Sequence, residues 1–551
     1  MDAACAYLEG KGGRYRIADA RRDLIPAGTV TSGDEETVRL RQRHRGVPVL
    51  GGEYVVRMEK KDGARVVTGV SGRYFTGLRT GATAEVEGGG EGGSVGAGSE
   101  SSEERAVERA VDSVRRDLGA RRAALKGGAH GLVVLPAGPG VLTRHVTVTG
   151  SDAETGAPVL REVYVDARTG RPVLQYSGIK TFAPARTGTG DRLDGTDDRR
   201  GGTNARRDGT NARPDGTNVK LEVDRDAARG VYVLRDRTRI PTSEDGLEHT
   251  LSTWDARGER AGDLAGQWPA DIQEFASPTP GFGRAATETG AVDAHWAAAQ
   301  VHDYYKKKHG RSSLDGHGMT INSVVGVAQD GQPGASAFWD GDKVVYGAGD
   351  AEHRPAAAGL DVVGHEMTHA VVEHSASLVH AGQPGALDEA FADYFGNSIE
   401  NAVRKVPDSD PDAGLVGERL CRTKSPRACA VRDLNDGRTT ATFAAGAGAG
   451  LGASTGADGL HLNSTVFSGA LWDARKELGA DLTDTLAYQA LTRYLTPLDG
   501  FTEGRAAVLA AAKDLGVPAA AQRKLARAFA AHGIVPGWER ALGVEADPLP
   551  G

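Results

Sequence analysis

The sequence predicts an α+β protein in which a β-rich stretch leads through one central helix into a mainly helical C-terminal half, with a two-part α+β segment ahead of both. Three observations predict it. Residues from about 23 to 80 alternate apolar and polar side chains, the period of a half-buried strand. From Gly290 onward the apolar spacing lengthens to that of helices. A stretch rich in Gly, Ser and Glu, 81–103, carries almost no large apolar side chain to offset the entropy of ordering, and so separates the first two units. At 551 residues the chain exceeds one ordinary core, and several units are expected.

Val38-Arg39-Leu40-Arg41 and the run from Val47 to Val56 alternate cleanly, with a turn at Asp62-Gly63, and predict a small antiparallel sheet within a first unit, 1–82. A linker occupies 83–103. A helix over 104–118 and strands over 131–136, 141–150 and 159–166, ending at the turn Thr169-Gly170, predict a second small unit over 104–178. The stretch 183–218 repeats Gly-Thr-Asn-Ala-Arg from Gly202 and Gly209 and begins a third copy at Gly216. Fewer than three full copies and no large apolar position favour a surface loop over a solenoid or calcium-binding repeat. Strands are expected at 319–327 and 337–346 within a β-rich part, 179–358. Helices are expected at 292–309, 359–375, 385–403, 465–478 and in several pieces over 482–542, with 376–551 forming the helical part.

Composition narrows the function classes. With 39% hydrophobic and 25% charged residues, and no apolar run near the roughly 18 residues that would span a bilayer, no transmembrane helix is expected. The formal net charge is −8 and basic residues are scattered among acidic ones, which excludes the electrostatic footprint of a nucleic-acid binder. Cys421 and Cys429 bracket a short polar loop that one bridge could close, and three unpaired thiols, with Cys5, is the alternative reading. Met1 to Leu8, succeeded by Glu9, Lys11, Arg14 and Arg16, offers no apolar stretch long enough for a secretory signal.

Within 359–375 stands His365-Glu366-Met367-Thr368-His369. At 3.6 residues per turn, a spacing of four returns both histidines to one face, so both imidazoles can grip one ion. A hydrolytic zinc site takes three protein ligands and keeps one position for water, a need that two nitrogens and one carboxylate meet. Glu389, in Gly385-Ala386-Leu387-Asp388-Glu389, lies twenty residues beyond His369, room for a turn and an antiparallel return, and is the expected third ligand. Asp393, one turn further on, is placed to accept the free N–H of a ligating histidine and fix its tautomer. Glu366 adjoins the first ligand but points off it, which makes it a general base for water rather than a ligand.

These residues closely resemble the thermolysin family of metalloendopeptidases, and the resemblance extends over most of the chain. Ala291-Val292-Asp293-Ala294-His295-Trp296 through Asp315-Gly316 is similar to that family's first long helix and the segment after it. Ala337-Phe338-Trp339 through Val345-Tyr346-Gly347 is similar to the edge strand of its cleft, which implies that a peptide pairs there as an added strand against Ala337 and Trp339. Gly459-Leu460-His461-Leu462-Asn463-Ser464 resembles the segment with the substrate-facing histidine. The resemblance implies that His461 hydrogen-bonds the oxyanion, that Asp458 orients it, and that Arg432 binds substrate carbonyls. It also implies that Val362 and Val431 wall a pocket for an apolar residue after the scissile bond. Two positions depart from the pattern: His380 stands where the family has a tyrosine assisting the oxyanion, and Ser336 where it has an asparagine.

The resemblance further implies calcium, with Asp361, Glu400, Asp408 and Glu418 similar to parts of an oxygen-rich site. The first 178 residues resemble the family's two-part propeptide, a folding aid and inhibitor, with cleavage expected in or near 176–190. Secretion and a monomer are implied as well. The expected function is that of a zinc endopeptidase precursor acting on proteins or peptides. Two rivals stand beside it: a zinc exopeptidase, and a catalytically silent proteinase-like inhibitor or adhesion module.

Overall fold

A computed structural model of the chain describes residues 1–17, 19–80, 97–119, 124–152, 156–182, 211, 213, 217–242, 247–327, 336–443 and 457–542. Most of the stretch 183–218 and part of 83–103 lie outside the described residues.

Alternation builds the first unit. Leu24–Ser32, Glu35–His44, Val47–Lys61 and Ala64–Arg73 run antiparallel in order, with Val38 opposite Val56 and Leu40 opposite Tyr54. Those four side chains, with Leu24 and Met58, make one buried face. The helix Asp2–Gly10, which no periodicity in the sequence announces, covers that face with Ala4, Cys5 and Leu8 at helical spacing. The turn Asp62-Gly63 has φ of 51° and 80°, the left-handed pair that a tight hairpin requires.

In the second unit the helix Ala97–Asp117 lays Ala106, Ala110 and Val114 across Val146, Val148, Val163 and Val165. It begins well inside the stretch expected to be linker. Its strands Leu125–Leu135, Val141–Ser151, Pro158–Asp166 and Pro172–Ser177 do not form a separate sheet. A single parallel pair, Val49 with Val134, joins them to the first unit's strands in one eight-stranded sheet.

The rest of the chain is a mixed sheet succeeded by helices. Leu251–Asp255, Ile321–Val327 and Val344–Gly347 run parallel in order, and Ala337–Trp339 pairs antiparallel outside them. The expected strand 337–346 is therefore a hairpin, turned at Gly341 with φ of 99°. Against the sheet lies the helix Ala291–His309, and behind it Leu360–Glu373, whose residues from Leu360 to Val372 are all buried. Gly382–Arg404 crosses that central helix, and Ala457–Leu478, Ala480–Arg493, Phe501–Asp514 and Ala519–Ala531 complete the helical part. Cys421 and Cys429 form a disulfide, and Cys5 is a buried free thiol. Among the described residues no helix is long and apolar enough to cross a membrane.

The first unit docks on the helical part through arginines. Arg39 donates to the carbonyls of Leu495 at 2.9 Å and Thr492 at 3.0 Å, and Arg73 pairs with Asp499 at 2.8 Å. Arg57 lies over the Tyr494 ring, 3.9 Å from its centroid. Gly51 admits Leu498 there, since a Cβ at Gly51 would stand 2.3 Å from Leu498 Cδ1.

Candidate metal centre and cleft

Two glycines set the centre. A Cβ on Gly364 would lie 2.9 Å from Gly396 Cα, and one on Gly396 would lie 2.4 Å from the Asp361 carbonyl oxygen. Without side chains at those points the helices Leu360–Glu373 and Gly382–Arg404 touch backbone to backbone. His365 and His369 then face Asp388, Glu389 and Asp393, all fully buried.

Each imidazole is held from behind. Nδ1 of His365 lies 2.9 Å from Asp393 Oδ1, and Nδ1 of His369 lies 2.9 Å from Asp388 Oδ1. A carboxylate can only accept, so both Nδ1 atoms carry hydrogen and both Nε2 atoms turn lone pairs forward. The two Nε2 atoms are 3.1 Å apart, and Glu389 oxygens lie 3.3 Å from that of His365 and 3.6 Å from that of His369. Neither Glu389 oxygen makes a hydrogen bond of good geometry, although both are buried. Two imidazole nitrogens and a carboxylate held so close together fit a cation. Metal–ligand distances of about 2.0–2.1 Å at tetrahedral angles put ligand atoms about 3.3 Å apart, the spacing zinc requires. His461 Nε2 lies 3.0 Å from Glu389 Oε2, and His365, Glu389 and His461 offer donors within 4.8 Å of one another. Of the three histidines, His365 and His369 are the ones whose Nδ1 atoms are held by carboxylates of the facing helix.

Glu366 is buried beside this triangle. Its Oε1 accepts from the Phe182 N–H at 2.8 Å and its Oε2 from the Trp339 N–H at 2.9 Å. Burial, to which the Glu389 charge adds, pushes its carboxyl up to about 8. Burial also works against the charge of Asp393, but Arg432 and His365 beside it hold that carboxyl well below the usual carboxylate range. Arg432 donates to both Asp393 oxygens, at 2.6 and 2.8 Å, and so is anchored behind the centre.

The edge strand Ala337–Trp339 is already paired, with residues from far upstream. Lys180–Phe182 runs antiparallel to it, placing Phe182 opposite Ala337, Thr181 opposite Phe338 and Lys180 opposite Trp339. The Phe182 ring is fully buried, edge-on to His365 at 5.6 Å and under the Arg432 guanidinium at 5.1 Å. Gly417, at φ of 75°, makes room: a Cβ there would stand 2.8 Å from Phe182 Cζ and 3.2 Å from Val431 Cγ2. Val431 thus lies near the Phe182 ring, while Val362 is fully buried in the same apolar cluster. Ser336 contributes its carbonyl to Gly347 N–H. His380 Nδ1 lies 3.3 Å from Asp388 Oδ2, and its Nε2 is 3.5 Å from Glu389 Oε1. The Asp458 side chain lies outside the described residues.

Two features of the site are not foreseen from the sequence. Asp388 cradles His369, and the only signal is a second acid beside Glu389. Lys180–Phe182 is too short for periodicity to reveal, and its partner strand lies far along the chain.

A second acidic group lies at the start of the helix Leu360–Glu373. Asp361, Glu400 and Glu418 offer oxygens within 4.8 Å of one another, beside a cavity of about 190 Å³. Asp408 is not among them; Arg475 holds it at 2.8 Å, and Asp410 and Asp412 line the cavity instead. Burial and the neighbouring carboxylates push Asp361 up to about 8 and Glu418 to about 9.

A buried His/His/Glu triangle between crossed helices, with a further glutamate under a sheet edge, is a centre of the metallopeptidase class. Residues 208–373 match the family model described as thermolysin metallopeptidase, catalytic domain, and 376–534 match its alpha-helical domain, together more than half of the chain. The chain belongs to the thermolysin family of metallopeptidases. It is 33% identical to a thermolysin of Bacillus sp. (strain EA1), over 55% of this chain and 53% of that protein. It is 36% identical to a zinc metalloproteinase of Listeria monocytogenes, over 44% of this chain and 46% of that protein. The chain thus spans about half the length of the curated relatives it matches. Among solved structures, the precursor of protealysin, a metalloproteinase from Serratia proteamaculans, aligns with 54% of this chain and 90% of its own at 21% identity and a TM-score of 0.42.

Proposed function

We propose that this chain is the precursor of a zinc-dependent endopeptidase that hydrolyses internal peptide bonds. The observation that carries the reading is the triangle of His365, His369 and Glu389 with both Nδ1 atoms tied to carboxylates and Glu366 alongside. When bound, zinc supplies Lewis acidity and lowers the pKa of a coordinated water. Glu366, held at a raised pKa, takes a proton from water and returns it to the departing amide nitrogen. His461, beside Glu389, donates to the oxygen that gains charge as the carbonyl carbon is attacked. Arg432 and Asp393 keep His365 in its metal-facing tautomer.

The edge strand Ala337–Trp339 aligns an extended peptide across the centre, which favours cleavage within a chain over trimming of its ends. The room around Gly417 and Val431 suits an apolar residue after the scissile bond. In the precursor, Lys180–Phe182 occupies that edge and keeps other peptides out, so the N-terminal units act as inhibitor until the junction is cut. The Cys421–Cys429 disulfide fits release into an oxidising compartment, and calcium at Asp361, Glu400 and Glu418 would steady the first turn of the ligand helix. The test is casein hydrolysis by the processed protein, with zinc stripped by a chelator and then restored. Activity should vanish and return, and hydrolysis that survives complete zinc removal overturns the reading.

A further inference from the structure

The strand in the cleft carries a charge that the centre has to accommodate. Lys180 is 6% exposed. Its Nζ lies 3.4 Å from Asp388 Oδ2, 3.6 Å from Glu373 Oε2 and 3.5 Å from the His369 carbonyl oxygen. A buried ammonium is stable only with such partners. Both carboxylates are otherwise engaged in ways that hold them in place: Asp388 accepts from His369 and His380, and Glu373 accepts from Trp339 Nε1 at 2.9 Å. The pocket is therefore a pair of acids on the cleft wall, beside Trp339.

The backbone fixes which bond this strand presents. Of its amide nitrogens, that of Phe182 is within hydrogen-bond reach of Glu366, at 2.8 Å. The group that returns a proton to the leaving nitrogen thus faces the nitrogen of the Thr181–Phe182 bond. Phe182 then occupies the place after the scissile bond, Thr181 the place before it, and Lys180 the place before that.

Resting on the endopeptidase reading above, we propose that Asp388 and Glu373 form a subsite selecting a basic side chain two residues before the scissile bond, and that Lys180-Thr181-Phe182 is the first sequence it accepts. Hydrolysis joins the oxygen of water to the Thr181 carbonyl carbon and breaks the bond to Phe182 nitrogen. Glu366 carries the water's proton to that nitrogen, leaving one chain that ends at the Thr181 carboxylate and another that begins at the Phe182 amine. Leucine in place of the lysine forfeits a charge-assisted hydrogen bond, worth roughly ten- to a hundredfold in rate. Glutamate there sets like charges against each other and loses more.

The test uses the full chain, incubated with zinc, and then the processed enzyme. Terminal sequencing should find a new chain beginning at Phe182, and the K180E precursor should process at least tenfold more slowly. Because K180E could also disturb folding, processed wild-type enzyme is given peptides that differ only in Lys, Leu or Glu two residues before a Thr-Phe bond. The Lys peptide should lead the Leu peptide by about tenfold or more in kcat/KM, and D388N, which keeps an acceptor for His369, should erase most of that lead. Casein cleavage with equal Lys and Leu rates, or with a first cut elsewhere, overturns the subsite and leaves the endopeptidase reading standing. A zinc-loaded chain that cleaves neither casein nor any peptide overturns both.

Discussion

Gly364 and Gly396 face each other across the two ligand helices so closely that a Cβ on Gly364 would stand 2.9 Å from Gly396 Cα. Every distance in the metal centre depends on that approach, because His365 lies one residue past one glycine and Asp393 three residues before the other. The expected outcome of Gly396→Ala is loss of about 1–3 kcal/mol of stability, with lower zinc content in the protein that still folds. Thermal melts paired with metal analysis check this, and unchanged melting with full zinc would refute the argument.

Glu366→Gln keeps one acceptor oxygen for the Phe182 and Trp339 N–H groups but removes the base. Casein hydrolysis should drop by about 10²–10⁴-fold while bound zinc is retained. An activity loss that tracks zinc loss would instead make Glu366 a ligand.

Asp388→Ala leaves the His369 N–H without its acceptor, and zinc affinity should weaken roughly 10–100-fold. Asp388→Asn keeps an oxygen in the same place and should retain most of that affinity. Competition with a chromophoric chelator separates the two.

Calcium should raise the melting temperature by ligating Asp361, Glu400 and Glu418, in competition with Arg419, which pairs with Glu400 at 2.7 Å and Glu418 at 3.3 Å. At about 100 times its dissociation constant the gain is about 3 kcal/mol. Glu418→Gln should remove most of the gain, and an equal calcium response in that variant would place the ion elsewhere.

Acid stability has a traceable contributor in His295. It is buried between Thr253, 3.1 Å from Nδ1, and the Glu222 carbonyl, 2.8 Å from Nε2. Burial outweighs that carbonyl and lowers its pKa to about 4. Between about 4 and 6.5 the unfolded chain binds the proton and the folded chain does not, so stability falls as pH falls through that window, by about 3 kcal/mol in all. Melting curves for His295→Gln should slope less over the same range.

Local spacing makes part of this centre legible in the sequence. His365, Glu366 and His369 share a helix, and four residues at 3.6 per turn fix their common face whatever surrounds them. Glu389 and Asp393 come from a second helix at a workable interval. Asp388 is not legible, because which of two neighbouring acids meets which imidazole is decided by the crossing of two helices. Asp408 pairs with Arg475 while Asp410 and Asp412 line the cavity, an exchange among neighbouring acids that no local spacing announces. In the fold, alternation reveals the strands of the first two units, but the single pair of Val49 with Val134 that fuses their sheets carries no sequence signature.

Arg39, Arg57 and Arg73 grip the helical part at Thr492 to Asp499, a contact separate from the cleft strand. Cutting the chain at residue 181 leaves that grip intact, so the severed fragment holds its free end near the cleft at a high effective concentration. Under the proposed cut, activity should therefore appear in two stages with a lag, set by dilution or digestion of the fragment rather than by the first cut.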